Sequence, residues 1–431
     1  TPASGPGSAP GSGSATATEH AARTPQTART AQTGQAAATA RLVGIDFARA
    51  LAVFGMFAVH VGPFPTPGGG VGDWFLELSS GRASALFATL AGFSLTLIAG
   101  RLVPKTGQAG KQARNRVIIR AAVLLVVGTA LAMTNFGGAG ILNFYALYFL
   151  LSLPLLKLPA RTLAFIAVTL AVVSPQLAYG LRALLTESAV HTIDSFDPIA
   201  QISGVGVLDF ALTGLYPALT WMTFVVTGMT LGRLDLDSWA VRRKLAVVGP
   251  AMIAFGYGVS WLLLRVTGGA KEIAAQMAAQ TAAFKDPSAI GDMSLAEGGF
   301  DMPVGDQLWG SDAWGLLAAE PHSGSTFDLI GSLGIAITVI LTVTVALERL
   351  EWLRRLATPI IAVGTMSLTI YVSHILVILA LPGEAAAPPQ SASTGLLLSF
   401  IAGAILFAAI WSRFFRRGPL EYLLSLATKR A

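Results

Sequence analysis

The chain has 431 residues, of which 53% are hydrophobic and 12% charged, with a mean hydropathy of +0.65 and a formal net charge of +6. A soluble domain carries about 25% charged residues, so this composition excludes a soluble globular protein and specifies an integral membrane protein. Cysteine is absent, which excludes a thiol nucleophile, disulfides and thiolate metal sites, and the basic balance is read as membrane topology, with no nucleic-acid partner expected.

Residues 1–40 are Ala, Thr, Gly, Ser, Pro and Gln with few charges and almost no large apolar side chains. Such a segment buries too little surface to order itself. It also lacks the apolar core of a cleavable signal peptide, so it is expected to be a disordered tail. From residue 41 onward the chain reads as one all-α polytopic domain, a bundle of about ten transmembrane helices. The candidate spans are residues 42–62, 83–103, 117–134, 139–157, 162–180, 207–232, 245–266, 327–347, 356–380 and 395–413, each near the roughly 20 residues that a bilayer requires. Alternate loops carry the cations, among them Arg101, Lys105, Lys111, Arg114, Arg116, Lys157, Arg161, Arg233, Arg242, Arg243, Lys244, Arg354 and Arg355. The intervening loops are acidic. By the positive-inside rule both termini lie in the cytoplasm, and the long Gly-rich loop 267–326 lies outside.

The first span contains "DFARALAVFGMFAVH". Charged side chains in a membrane helix mark a functional site or an internal pair. At 100° per residue Asp46, Arg49 and His60 share one face, and Arg49 and His60 are about 16 Å apart along the axis. One reading is a plain i,i+3 ion pair at the membrane boundary with an interfacial histidine. The other is a helix with a cationic anchor at one end and a titratable base at the other. Arg120 lies one turn into the third span, four residues after Arg116 in the preceding loop; it either snorkels or joins Arg49 and Arg116 in a phosphate clamp. Asn143 and Tyr145 in the fourth span are packing residues or line an acceptor pocket. The sixth span sets Tyr216, Thr220, Thr223 and Thr227 on one face, next to Trp221; threonine satisfies its hydroxyl on its own helix, which favours packing over a polar tunnel wall.

Just before the eighth span, "EPHSGSTF" holds His322 between Pro321 and Gly324. Ser323, Ser325 and Thr326 follow as short donors, suited to an acceptor hydroxyl or a developing oxyanion; alternatively Ser325 or Thr326 simply caps the span. In the ninth span Ser367, Tyr371 and His374 form one stripe. Topology puts His60, His322 and His374 at one outer level. Three histidines at one depth suit a metal, but no tight spacing supports one. General-base chemistry is preferred and no metal is expected, because a neutral imidazole is the usual proton acceptor.

The first span, with Asp-x-x-Arg followed after ten residues by His, resembles the transmembrane acyltransferase superfamily, which includes the acyltransferase-3 proteins and the heparan-α-glucosaminide N-acetyltransferase type. The stretches "GRASALFATLAGFSL", "YPALTWMTFVVTGMTLGRLDL", "PHSGSTFDLIGSLG", "GTMSLTIYVSH" and "RRGPLEYLL" are similar to the boxes of its bacterial YeiB-like branch. The resemblance implies a multi-pass cell-membrane enzyme, foremost of the bacterial plasma membrane. It implies transfer of an acyl group from cytoplasmic acyl-CoA, acetyl-CoA foremost, to an extracytoplasmic sugar or glycolipid of the envelope, directly or through an acyl-histidine. On that basis His60, His322 and His374 are expected to be catalytic, and Asp46, Arg49, Arg116 and Arg120 to bind the donor. Asn143, Tyr145, Trp221, Ser323 and Tyr371 are expected to meet the substrate. Membrane lipids are further partners, and self-association is left open. A transporter or flippase for a lipid or small anion is the rival reading, since intramembrane Arg, Asp and His also suit proton relays.

Overall fold

The computed structural model describes residues 24–63, 65, 70–134, 140–275, 313–381 and 393–429. The helices in chain order are α1 (Thr24–Val61), α2 (Val71–Ser79), α3 (Arg82–Ala99), α4 (Gly107–Ala132), α5 (Ile141–Leu151), α6 (Ala160–Leu184), α7 (Glu187–Ser195), α8 (Pro198–Ser203), α9 (Ala218–Arg233) and α10 (Trp239–Thr267). After residue 313 come α11 (Thr326–Arg349), α12 (Glu351–Leu356), α13 (Thr358–Thr365), α14 (Ser367–Ala380), α15 (Thr394–Phe414) and α16 (Pro419–Ala427). No strand occurs among the described residues. The protein is therefore an all-α polytopic membrane protein, as its composition requires.

Seven of the ten expected spans are single helices long and apolar enough to cross a bilayer: the 43–61 part of α1, with α3, α4, α6, α10, α11 and α15. The other three depart from a simple span, each for a local reason. The span expected at 139–157 is the shorter α5, followed by a 3-10 turn that opens on Pro154, because proline has no N–H to continue the helix. The span expected at 207–232 is interrupted by a π turn, Asp209–Thr213, and starts again as α9 behind Pro217. The span expected at 356–380 is broken at Met366 into α13 and α14, which meet at 85°. α1 begins at Thr24, inside the stretch expected to be a structureless tail; alanine, abundant there, is the strongest helix former. Residues 1–23 of that tail and residues 276–312 of the long loop lie outside the described residues.

α1 is the axis of the molecule. It packs against α3, α11, α13 and α15, and it supplies Ala50, Phe54 and Phe57 to one apolar cluster and Ile45, Ala48 and Ala52 to another. By contrast α15 leaves Leu398, Leu406 and Ile410 exposed, as a lipid-facing helix does. Helices in a bilayer gain little from hydrophobic burial against one another, so close backbone approach through small residues holds them together. Gly364 of α13 rests on the Asp46 carbonyl, and Gly92 and Gly228 bring α3 and α9 into mutual backbone contact, through the carbonyls of Val225 and Thr89. The first contact fixes the break in the ninth span against the polar end of α1.

Candidate functional site

The N-terminal part of the buried stretch of α1 carries the ion pair weighed above. Arg49 Nη1 lies 2.5 Å from Asp46 Oδ1, and Arg49 Nη2 donates to Ser94 Oγ of α3 at 2.7 Å. Asp46 is thereby spent on orienting Arg49. Arg116 and Arg120 reach the same place from α4, and Arg417 reaches it from the turn before α16, so that Arg49, Arg116 and Arg417 all act electrostatically on Arg120. The Nε atoms of Arg116 and Arg120 are buried without a hydrogen-bond partner. Four guanidinium groups thus gather around one carboxylate.

Eleven residues further along the same face, roughly 16 Å at the helical rise, His60 meets His374. His60 Nδ1 and His374 Nε2 are 2.9 Å apart, and their rings are stacked, with centroids 5.2 Å apart and planes inclined by 6°. α14 delivers His374, which is 3% exposed. Phe57 and Tyr371 wedge its ring from two sides, with centroids 5.0 and 5.1 Å away. The Nδ1 of His374 faces the Ile370 and Tyr371 carbonyls without a well-aligned bond.

A wall of aromatic rings leads away from this pair. Tyr371 stacks loosely on Phe87, Phe87 meets the edge of Tyr145, and Tyr145 meets Tyr148. Asn143 and Tyr145 are both almost fully buried, and Asn143 Oδ1 and the Tyr145 hydroxyl have no hydrogen-bond partner. An orphaned buried polar group costs about 1–3 kcal/mol; Asn143 Oδ1 packs against Gly128 of α4, which leaves the Tyr145 hydroxyl as the orphan among these rings. On α9, Thr227 returns its hydroxyl to the Thr223 carbonyl at 2.8 Å, as packing requires, whereas the buried Thr223 hydroxyl has no hydrogen-bond partner.

His322 stands on this wall, apart from the histidine pair. Its ring stacks on Trp221, with centroids 5.7 Å apart and planes inclined by 17°, and meets the edge of Tyr216 at 5.2 Å. Tyr216 in turn interacts electrostatically with Tyr371. The expected level of three histidines thus resolves into a bonded pair and a third imidazole held against Trp221 and Tyr216. Among the described residues, no three His, Cys, Asp or Glu side chains are grouped to hold a metal ion. The backbone of His322 is left-handed, with φ +63°, which a non-glycine residue adopts at a cost. Gly324 follows at φ +62°, and Gly81 at φ +68° leaves no room for a Cβ beside Pro321. The box is thus rigid, and the strain sits on the imidazole-bearing residue. His322 Nδ1 is buried and unpartnered. Burial first, and the nearby Arg82 charge second, push its pKa down to about 4.

The hydroxyls around His322 serve the backbone. Ser325 Oγ accepts from Asp328 N at 3.0 Å and caps α11, while donating to the Ala318 carbonyl at 2.5 Å. Ser323 Oγ donates to the same carbonyl at 3.1 Å. The capping alternative holds for Ser325, and Ser323 is tied into the loop. Sequence reasoning missed Arg82 and Asp328. Arg82 donates to the Tyr257 hydroxyl at 3.1 Å and lies over its ring, and buried Asp328 accepts from Ser332 Oγ at 3.0 Å and from Gly324 N at 3.3 Å. The signal was present: each opens a span, at the start of "RASALF" and inside "STFDLIGS". Sequence reasoning also passed over Glu421. Its carboxylate accepts from the backbone N–H of Leu368 at 2.8 Å and of Thr369 at 3.1 Å, and from Thr369 Oγ1 at 2.5 Å. It thereby caps α14 where the span is broken.

Residues 41–260 match the family model described as heparan-alpha-glucosaminide N-acetyltransferase, catalytic. Residues 305–431 match a second model, described as protein of unknown function (DUF418). No curated protein matches the chain. Arg49, His60, Arg120, Tyr145 and Trp221 fall within the first match, and His322, His374, Arg417 and Glu421 within the second, so both contribute to the site.

Proposed function

Because the chain belongs to the heparan-alpha-glucosaminide N-acetyltransferase catalytic family, we propose that it is a membrane-embedded acyltransferase that takes an acyl group from cytoplasmic acyl-CoA and delivers it to a hydroxyl or amine of an extracytoplasmic sugar or glycolipid. The family supports membrane acetyltransferase-like chemistry, which makes acetyl-CoA the first donor to test. The observation that carries the transmembrane reading is α1 itself: one helix face holds the arginine cluster at one end and the His60–His374 pair at the other. In this reading Arg49, Arg116 and Arg120 hold the donor's phosphates and the thioester reaches the histidine pair. His322, with Asn143, Tyr145, Trp221 and Tyr371, receives the acceptor.

The proton inventory follows from the histidine geometry. The Ile370 and Tyr371 carbonyls favour a proton on His374 Nδ1, which leaves His374 Nε2 as an acceptor. His60 Nδ1 then donates to it, and His60 Nε2 carries the basic lone pair. The acceptor oxygen or nitrogen attacks the thioester carbonyl while His60 Nε2 removes its proton. The C–S bond breaks, and the departing CoA thiolate takes that proton back from the imidazolium. His374 touches His60 and keeps it in the reactive tautomer, which defines a positioning residue.

The test is donor binding together with transfer. A ligand present at a hundredfold excess over Kd stabilises a fold by about 2.7 kcal/mol, so acetyl-CoA is expected to raise the Tm of the purified protein. His60→Ala is expected to keep that shift and to lose transfer from radiolabelled acetyl-CoA to envelope glycolipids. Transfer by His60→Ala at the wild-type rate would rule His60 out as the base. The transport reading draws on one observation, the 85° break in the ninth span, because transporters bind substrates at broken helices. It predicts no stabilisation by any CoA species.

A further inference from the structure

The arginine cluster includes one member that the donor site proposed above does not assign. Arg417 belongs to the "RRGPLEYLL" box, beyond the last span. α16 carries this box onto α4, and Arg417 interacts there with Arg120. We propose that Arg417 is a fourth phosphate-binding residue of the donor site, so that the box closes over the nucleotide end of the bound donor. The inference rests on the acyl-CoA reading.

Three observations carry it. First, the charges do not balance within the protein. Asp46 pairs with Arg49, and among the described residues no carboxylate forms an ion pair with Arg116, Arg120 or Arg417. Arg417 is exposed and Arg116 and Arg120 are half-buried; four guanidinium groups around one carboxylate repel one another, and a polyanion relieves that repulsion. Second, donor capacity is left over, since Nε of Arg116 and Nε of Arg120 are buried and unpartnered. Guanidinium groups match phosphate oxygens in bidentate geometry, and four of them suit a ligand with more than one phosphate, such as a diphosphate with a further phosphomonoester. Third, Arg417 is held in place. Its Nη1 donates to Ser425 Oγ, and its carbonyl accepts from Trp411 Nε1 at 2.9 Å. The next residue, Gly418, is buried beside Glu421 and Thr369. Glu421, the nearest acid in the box, is committed to the N-terminus of α14, so it does not neutralise Arg417. The same turn therefore fixes the half-helix that carries His374 and presents a cation to the donor.

The same phosphate chemistry has two sources, a soluble nucleotide thioester and an anionic lipid headgroup, and the experiment separates them. Wild-type protein, R417Q, R417K, R120Q and, as a control, R413Q are titrated by thermal shift with CoA and with inorganic pyrophosphate in neutral detergent. They are then titrated again in nanodiscs with and without phosphatidylglycerol. R417Q is expected to raise the apparent Kd for CoA by about ten- to hundredfold, the weight of one charge-assisted contact. It is expected to raise KM for acetyl-CoA while leaving kcat at saturating donor near wild type. R417K is expected to recover part of the loss, and R413Q to match wild type. Wild-type CoA affinity in R417Q, alongside weakened binding in R120Q, would overturn the role of Arg417 and leave the donor reading standing. Failure of CoA and pyrophosphate to stabilise the wild type would overturn the donor reading itself. An Arg417-dependent stabilisation by phosphatidylglycerol alone would assign the cluster to lipid headgroups and overturn the inference. Comparable Tm values without ligand establish that the variants are folded.

Discussion

His60 and His322 are both imidazoles beside aromatic rings, yet they have different surroundings and different tests. His60 bonds to a second histidine, so removing His374 alone is expected to be informative. His374→Phe keeps the stacked ring and deletes the acceptor for His60 Nδ1. It is expected to lower kcat by about 10- to 100-fold, within the range that general-base assistance supplies, with KM for acetyl-CoA unchanged. Equal loss in kcat and donor affinity would instead indicate a packing defect. His322 has no second histidine, and its folded pKa of about 4 lies below its ordinary value of 6.5. The unfolded chain therefore binds more protons than the folded one between those values, and stability falls as pH drops from about 6.5 towards 4. The cost is at most about 1.4 kcal/mol per pH unit, and less because the residue is partly exposed. Tm is expected to rise with pH across that window, from about 4 to 6.5, and His322→Gln to flatten the rise. Parallel profiles for the two proteins would show that His322 does not titrate there. Asp46, Arg49 and His60 were legible as one polar face because three polar residues on one turn-spaced stripe stand out in an apolar span. The pairing of His60 with His374 was not legible, since 314 positions separate them and only the packing of α14 on α1 brings them together.

Among the elements, the broken ninth span carries most of the consequences. Hydropathy reads 356–380 as one span because it averages over residues and is blind to direction. The break at Met366 depends on Gly364 meeting the Asp46 carbonyl and on Glu421 supplying acceptors to the first N–H groups of α14. The same limit explains α5 and α9, where Pro154, Pro217 and a π turn shorten runs that composition alone would carry across the bilayer. Glu421→Gln keeps the shape and removes the charge. Charge-assisted bonds are worth about 1.5–3 kcal/mol each, and the amide still offers one acceptor. A Tm loss of several degrees is expected, with turnover falling more than donor affinity because His374 rides on α14. Gly364→Val puts a branched side chain against backbone, and overpacking of this kind costs about 1–3 kcal/mol or more. A Gly364→Val protein as stable as wild type would show that α13 does not need its close seat on α1.

At the level of the whole molecule, the cation bias of alternate loops predicts which ends face the cytoplasm. Because the chain has no cysteine, single substitutions report cleanly. A cysteine at Ser188, exposed on α7, is expected to react with a membrane-impermeant maleimide in intact cells, and one at Gln108, exposed at the start of α4, only after lysis. The opposite pattern would invert the molecule and with it the direction of transfer. The all-α architecture was legible from charge content and apolar runs alone, whereas the loop 267–326 offered composition without periodicity. One feature of the assembly bears on biogenesis. Helices enter the bilayer in the order of their synthesis, and a helix N-terminus in hydrocarbon leaves its first N–H groups unsatisfied. α14 is capped by a carboxylate 52 residues downstream of Thr369. Until residue 421 has been synthesised and docked, the half-helix bearing His374 lacks its cap and is held in place only by its packing. The histidine pair is therefore among the last parts of the protein to form, and a nascent chain stalled before residue 421 would be inserted but catalytically silent.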